Sequence, residues 1–415
     1  MNEMRRLLPW APELNGAPAA AAPRRAPGLV SSTLLAVRLA WRQLRSEKAR
    51  LASAIAGVMF ACMLVFMQLG FRSALFDSAT MLISAMRGDL FLMHPTTLAS
   101  FRPEALPRAR AWQTLALPEV ERAVPVYLAQ ATVRNPENGL RRTIQLVGVD
   151  VSAGVLDFPG LAPLVEDLKR PDTVAFDERS RPEFGPIGQL VSRGRLTIEV
   201  AQREVEVVGM IAIGPSFGAD GNIVLSEVNF RRLVKERQAS SVDLVAIRLR
   251  PGAEIADVQR KLRALLPPDV AVLTQAQLLA HERAYWEEAT PIGFIFAFGS
   301  LMGLIVGMVI VYQILFSDIA GHLKEYATLK AMGYSNFYLS RVVLGAALIL
   351  AVGGFVPGFL LSVFLYDVVG SATFLPLVMT PALGLAVFLM IFAMCAIAGL
   401  LATRKLRDAN PADMF

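Results

Sequence analysis

Apolar residues in this chain are gathered into four long runs instead of recurring at helical or strand spacing throughout. The first, Leu51 to Phe71, is interrupted only by Gln68 near its end. The second covers Pro291 to Phe316, the third Val342 to Leu365 and the fourth about Leu375 to Leu401. Each meets or exceeds the roughly 20 residues a helix needs to cross a hydrocarbon core of about 30 Å. None contains Asp, Glu, Lys or Arg, and one such charge at mid-bilayer costs about 2.5–3.5 kcal/mol on insertion scales. The pattern predicts four transmembrane helices.

Charge at the flanks sets the expected orientation. Arg38, Arg42, Arg45, Lys48 and Arg50 precede the first run, and Arg404, Lys405 and Arg407 follow the fourth. The link between the second and third runs carries Lys324, Lys330 and Arg341, whereas the link between the third and fourth carries Asp367 and no basic residue. The positive-inside rule then puts both termini and the second-to-third link in the cytoplasm. The stretch from Arg72 to Thr290 is left outside, where long translocated domains do not obey the rule.

That outer stretch mixes two periods. Gly88 to His94, Thr143 to Val149, Arg195 to Val200, Glu204 to Ile211 and Val242 to Leu249 read as strands. Ala253 to Leu266 and Gln275 to Glu288 read as helices, the latter running straight into the second span. The expected fold class is an α-helical membrane protein with four transmembrane helices and an α+β periplasmic domain between the first and second. That domain is expected in two lobes, with a break within Gly139 to Asp243.

The ends read differently. Residues 1–32, rich in Ala, Pro and Arg, read as a disordered tail with no signal-peptide core. In 33–49, Leu34, Val37, Trp41 and Leu44 fall on one face of an amphipathic helix suited to the membrane interface and its lipids. The remaining expected divisions are a first span at 50–72, the outer domain at 73–290, a second span at 291–316 and a cytoplasmic coupling segment at 317–341. A third span at 342–365, a periplasmic loop at 366–374, a fourth span at 375–402 and a cytoplasmic tail at 403–415 complete them.

Composition agrees with this picture. The apolar share is 54% and the charged share 18%, against roughly 45–50% and 25% for globular chains. The net charge of +6 sits largely beside the apolar runs, where topology explains it without nucleic acid. The two cysteines, Cys62 and Cys395, lie inside runs and form no disulfide framework or zinc pattern. His281-Glu282 opens like a zinc-protease motif, but Tyr285 stands where the second histidine belongs, so both read as surface residues of a helix. No G-x-x-x-x-G-K-[ST] phosphate cradle and no G-x-S-x-G elbow occurs. No catalytic, cofactor-binding or metal-binding residue is therefore expected, and any ATP and Mg would be held by a partner. With only Gln68 and Gln313 strongly polar in the spans, ion-coupled transport is disfavoured.

The most informative stretch is Ser317 to Gly333. Ile319, Leu323, Tyr326, Leu329 and Met332 make an apolar stripe, Lys324, Glu325 and Lys330 are polar, and Gly333 is placed to end a helix. Such a helix, lying along the membrane between two spans, either presses on a cytoplasmic protein or merely caps the bundle. In the second span Gly299, Gly303 and Gly307 recur every fourth residue, the spacing that lets helices approach closely. They suit a homodimer seam or packing within one subunit. Gly354 and Gly358 repeat the spacing in the third span, where Pro357 is placed to kink the helix.

Glu325 to Gly333 resembles the coupling segment of the FtsX/MacB-like permeases, and the order of one span, a large outer domain and three spans is similar too. More narrowly, the chain resembles the DevC-type permeases. Leu39 to Leu44, Phe66 to Arg72, Ala74 to Ser78, Ser216 to Gly221 and the closing Asn410-Pro411-Ala412-Asp413 carry that likeness. What it implies is a permease docked through His322, Lys324, Glu325, Tyr326, Leu329, Lys330, Met332 and Gly333 on a separate ABC ATPase subunit. It further implies a second permease copy, a periplasmic adaptor (membrane fusion protein) and an outer-membrane channel. Two rivals remain open. One is a permease that moves no cargo and instead activates a hydrolase or releases lipoproteins; the other is a membrane-anchored sensor or scaffold.

Overall fold

The computed structural model describes residues 41, 48–216, 218–235, 238, 240–332 and 334–408. The expected tail, nearly all of the expected interfacial helix, Gly333 and the closing Asn410 to Asp413 lie outside the described residues.

Helix α1 spans Lys48–Ser84, 37 residues in one piece. At 1.5 Å per residue it is about 55 Å long, far more than a bilayer core requires. The apolar run stops at Phe71, but no Gly or Pro follows until Gly88. Phe76, Ala79, Leu82 and Ile83 keep a buried face, so the helix continues beyond the expected span into the inserted domain.

That domain is built in chain order from β1 (Leu90–Met93), β2 (Leu106–Pro107), α2 (Ala109–Thr114), β3 (Val120–Arg134) and β4 (Arg141–Val149). Then come α3 (Val165–Leu168), β5 (Thr173–Asp177), α4 (Ile187–Ser192), β6 (Leu196–Val200), β7 (Arg203–Ile211) and β8 (Asn222–Ser226). It closes with α5 (Glu227–Leu233), β9 (Ser241–Val242), β10 (Leu244–Leu249), α6 (Ile255–Leu265), β11 (Ala271–Thr274) and α7 (Gln275–Ala284). Nine strands form one sheet in the order β11-β1-β10-β3-β4-β8-β5-β7-β6. Strand β3 is the shared member. Its first half, Val120 to Val126, pairs with β10, and its second half, Val126 to Arg134, pairs with β4. At its far end Val133 and Arg134 meet Val200 and Glu199 of β6, so the strands from β3 to β6 close on themselves. The result is two lobes that share strand β3, an open sheet and a closed ring, with core residues of both packed in common clusters.

The return to the membrane is not the straight helix expected. After α7 the chain makes a π-helical turn, Tyr285–Ala289, and Thr290 is extended at φ −118° and ψ 154°. Pro291 follows as the first residue of α8 (Pro291–Gly321), where its missing N–H costs nothing. Helix α9 (Leu323–Ala331) comes next, then α10 (Asn336–Thr373) and α11 (Pro381–Asp408). Helices α1, α8, α10 and α11 are long and apolar enough to cross a membrane. The fourth starts later than its apolar run suggests: Phe374 is left-handed at φ 60°, and Thr380 and Pro381 set the new helix start.

Helix α1 is the centre of the bundle, flanked by α8 and α10, with α11 against both of those. Lipid supplies no hydrophobic drive for helix association, so close packing must do it. A methyl on Gly307 would fall 2.6 Å from Ala61 Cβ, and one on Gly354 2.4 Å from Val58 Cβ. Neither position has room for one.

Candidate functional site

The expected coupling residues gather at an elbow. Helix α8 stops at Gly321 because His322 leaves helical geometry, at φ −104° and ψ 19°. The His322 ring Nδ1 lies 3.0 Å from the Asp318 carbonyl and 3.5 Å from its carboxylate, both side chains being nearly covered. Tyr326, 3% exposed, and Ala327 anchor α9 to the bundle, with Leu323 and Leu329 packed beside them. On the opposite face Lys324, Glu325 and Thr328 are exposed, and Lys330 is half-buried. Helix α9 therefore has the seated apolar side and open polar side that the sequence pattern asks for.

One member departs from it. Met332 is 63% exposed and does not join the buried stripe, because α9 ends at Ala331 and Met332 lies in the cap. The chain then turns back, with Tyr334 N donating to the Leu329 carbonyl at 3.1 Å. Ser335 caps α10 by accepting from Tyr338 N. Met332, Tyr334 and Phe337 are all exposed, and the Arg341 guanidinium lies 4.3 Å from the Phe337 ring centre. The elbow thus ends in an apolar tip beside the polar face of α9. The stripe count placed Met332 inward because it ran one helical period through Ile319 and Leu323, which stand on two different helices.

The three glycines of α8 face α1 of the same chain. A methyl at Gly299 would meet the Gln68 side chain at 2.6 Å, and one at Gly303 would touch Leu64 and Val65 at ordinary contact distance. Within this chain all three therefore sit against α1. The outward side of α8, with Phe294, Ile295, Phe298, Leu301 and Ile305 exposed, is the apolar surface left over.

At the other end of α8 lies a joint the sequence did not reveal. The extension of α1 and the descending α7 run side by side as a two-helix stalk. Gln275 Nε2 reaches the carbonyl of Met86 at 3.0 Å, Arg283 pairs with Asp77 at 3.2 Å, and Arg72 pairs with Glu287. Phe76, Ala79 and Trp286 form a small apolar cluster where stalk meets spans, with Phe101, Tyr285 and Ile292 against it. Glu282 is not the surface residue expected. It is 2% exposed, accepting from Ser100 N at 2.8 Å and from Trp286 Nε1 at 3.2 Å. His281 is tied to the Thr97 carbonyl at 2.8 Å. Burial pushes the Glu282 carboxyl above the ordinary range, with the Ser100 hydrogen bond opposing.

Two parts of this chain, the insert with the first span and the later spans, match known protein families. Residues 51–265 match the MacB-like periplasmic core domain, and residues 297–411 match the FtsX-like permease C-terminal. The first match alone spans more than half of the 415 residues. The chain belongs to the FtsX/MacB-like permease family. The permease is similar to the solved periplasmic region of MacB from Actinobacillus actinomycetemcomitans, at 12% identity and a TM-score of 0.35. That likeness covers 47% of this chain and 92% of that one. It is also similar to the extracellular domain of the noncanonic ABC-type transporter YknZ from Gram-positive bacteria. There the identity is 13% and the TM-score 0.33, over 45% of this chain and 99% of that one. No curated protein matches it.

Charged groups elsewhere in the permease's inserted domain are structural in their geometry. Buried Asp177 accepts from Ile213 N and Gly214 N at 2.9 and 2.8 Å and from Asn222 Nδ2 at 2.8 Å, fixing the end of the closed ring. Asp172 takes a two-pronged contact from Arg203 at 2.8 and 3.0 Å, which holds its carboxyl below the usual range. Among the described residues no group of three or more His, Cys, Asp or Glu is placed to hold a metal ion.

Proposed function

We propose that this permease is the membrane subunit of a tripartite ABC exporter, transmitting motion from a separate ATPase to its outer domain. In this reading α9 and the apolar tip at Met332, Tyr334 and Phe337 seat on the ATPase at the cytoplasmic face of the inner membrane, and both termini lie on that side. Two permease copies and two ATPase copies close when ATP binds. The inserted domains, in the periplasm, move in response and drive cargo into an adaptor and an outer-membrane duct.

The observation that carries the proposal is the path of α8. One helix of 31 residues starts at the stalk joint and ends at the elbow, with no loop between them. At about 47 Å it is long enough to move as a rod, so displacement at α9 reaches the base of the inserted domain within a single element. A scaffold that only bound a ligand would have no need of so direct a link.

Reconstitution in lipid with the cognate ATPase and adaptor tests this. Glu325→Lys combined with Lys330→Glu is expected to leave the permease folded and inserted while separating ATP hydrolysis from export. Unchanged export in that double variant contradicts the placement of the ATPase contact. An ATPase whose hydrolysis rate ignores the permease contradicts the function itself.

A further inference from the structure

The run Ser216 to Gly221 is among the most distinctive in the sequence, yet it belongs to the second lobe and not to the elbow. Its described residues are held firmly. Ser216 Oγ accepts from Gly218 N and Ala219 N, and Asp220 pairs with Arg181 at 3.1 Å and Arg142 at 3.7 Å. Just before it, Ile213 and Gly214 hang from buried Asp177. The Gly218 carbonyl accepts from Gln130 Nε2 of the shared strand β3 at 2.7 Å.

Gly218 then meets the first lobe. A methyl there would fall 3.0 Å from Phe101 Cβ, so glycine allows the two backbones this approach. The Phe101 ring lies 5.3 Å from the Trp286 ring and 6.0 Å from that of Tyr285, centre to centre. Trp286 belongs to the π turn that opens into α8. Glu282 closes the unit, accepting from Ser100, the neighbour of Phe101, with one carboxylate oxygen and from Trp286 with the other. One carboxylate thus binds the loop that carries Phe101 to the turn that carries Trp286.

We propose that the contact of Gly218 on Phe101 is where the second lobe engages α8, and that Glu282 is the positioning residue that makes Phe101 and Trp286 move as one body. The π turn has one residue too many for regular helix bonding, and extended Thr290 follows it, so α7 and α8 are not one continuous helix. Left alone the turn would absorb displacement. Clamped by Glu282 and loaded by Phe101, it passes movement of α8 to the closed ring. The inference rests on the proposed transmission and adds its route.

The test uses the full permease in lipid discs with its cognate ATPase bound, Cys62 and Cys395 replaced by alanine, and spin labels at Glu137 and Ala49, both exposed and outside the proposed ATPase contact. In the parent protein ATP is expected to change the distance between the labels. Phe101→Ala is expected to reduce that change by more than about half while hydrolysis stays within about twofold of the parent, as for a residue that couples two bodies without binding nucleotide. Phe101→Leu keeps apolar bulk without the ring and guards against simple loss of folding; it should show the same separation of motion from hydrolysis. An unchanged ATP response in both variants overturns the inference and leaves the proposed function standing. No ATP response in the parent overturns both.

Discussion

Replacing Gly70 with alanine should destabilise the permease more than a surface or lipid-facing substitution of equal size, and the cause is local. The hydroxyl of Tyr366, buried on α10, donates to the carbonyl of Phe66 on α1. Gly70 is one turn further along α1, and a methyl there would fall 1.9 Å from the Tyr366 oxygen and 2.3 Å from Cζ. The ring must leave its place, which loses an interhelical hydrogen bond and forces repacking. Such a bond between transmembrane helices is worth about 0.6 kcal/mol on average and up to about 1.7, and overpacking costs roughly 1–3 kcal/mol. The expected loss for Gly70→Ala is about 2–4 kcal/mol. Tyr366→Leu alone forfeits the bond and some packing, about 1–2 kcal/mol. Together the changes should cost at least about 1 kcal/mol less than their sum, because the leucine vacates the space the methyl needs. Reversible unfolding in lipid discs, on the two single variants, the double and the parent, gives all four corners. Strict additivity would refute the argument, since it would mean that Gly70 and Tyr366 do not contend for the same space.

Two further outcomes follow from the stalk. Arg72→Glu should weaken the pair with Glu287, and Glu287→Arg in the same chain should restore it. The effect is bounded at about 1 kcal/mol because both groups are partly exposed; a restoring effect of zero would show that the pair does not clasp the stalk. Glu282 supplies a pH dependence of known sign. Its carboxyl titrates higher in the folded chain than in the unfolded one, so the native state binds this proton more tightly. Its contribution to stability is therefore greatest below the ordinary carboxylate range and declines as pH rises through the elevated folded value. Glu282→Gln should flatten the thermal midpoint against pH across that window, and an unchanged slope would contradict the burial argument.

How much of this was legible in the sequence depends on which residues are asked. The four spans were, because hydrocarbon tolerates no charge and the runs from Leu51, Pro291, Val342 and Leu375 contain none. Their lengths were not. Helix α1 outruns Phe71 on a face set by Phe76, Ala79 and Ile83, which is buried only because α7 and the sheet come back to cover it. The glycines of α8 signalled close approach correctly, but spacing carries no information about which helix approaches. Strand β3 went unread, since Pro125, Gln130 and the charges of Glu121 and Arg122 interrupt any alternation. Its two halves answer to different neighbours, so no single period describes it. Glu282 was misread for a related reason. On its own helix it is one polar residue among several, and its burial comes from the Ser100 loop and Trp286. A tryptophan four residues beyond a glutamate was the one local signal available.

Everything rests on force entering at α9 and leaving through the domain between α1 and α8, which requires the two to lie on opposite sides of the membrane. Single cysteines at Lys324 and Asp150, both placed where the side chain is exposed, can be labelled in intact cells with a thiol reagent that does not cross the inner membrane. Reaction at position 150 and protection at 324 until the membrane is opened is the expected result. Reaction at 324 in sealed cells, or protection at 150, would contradict the account.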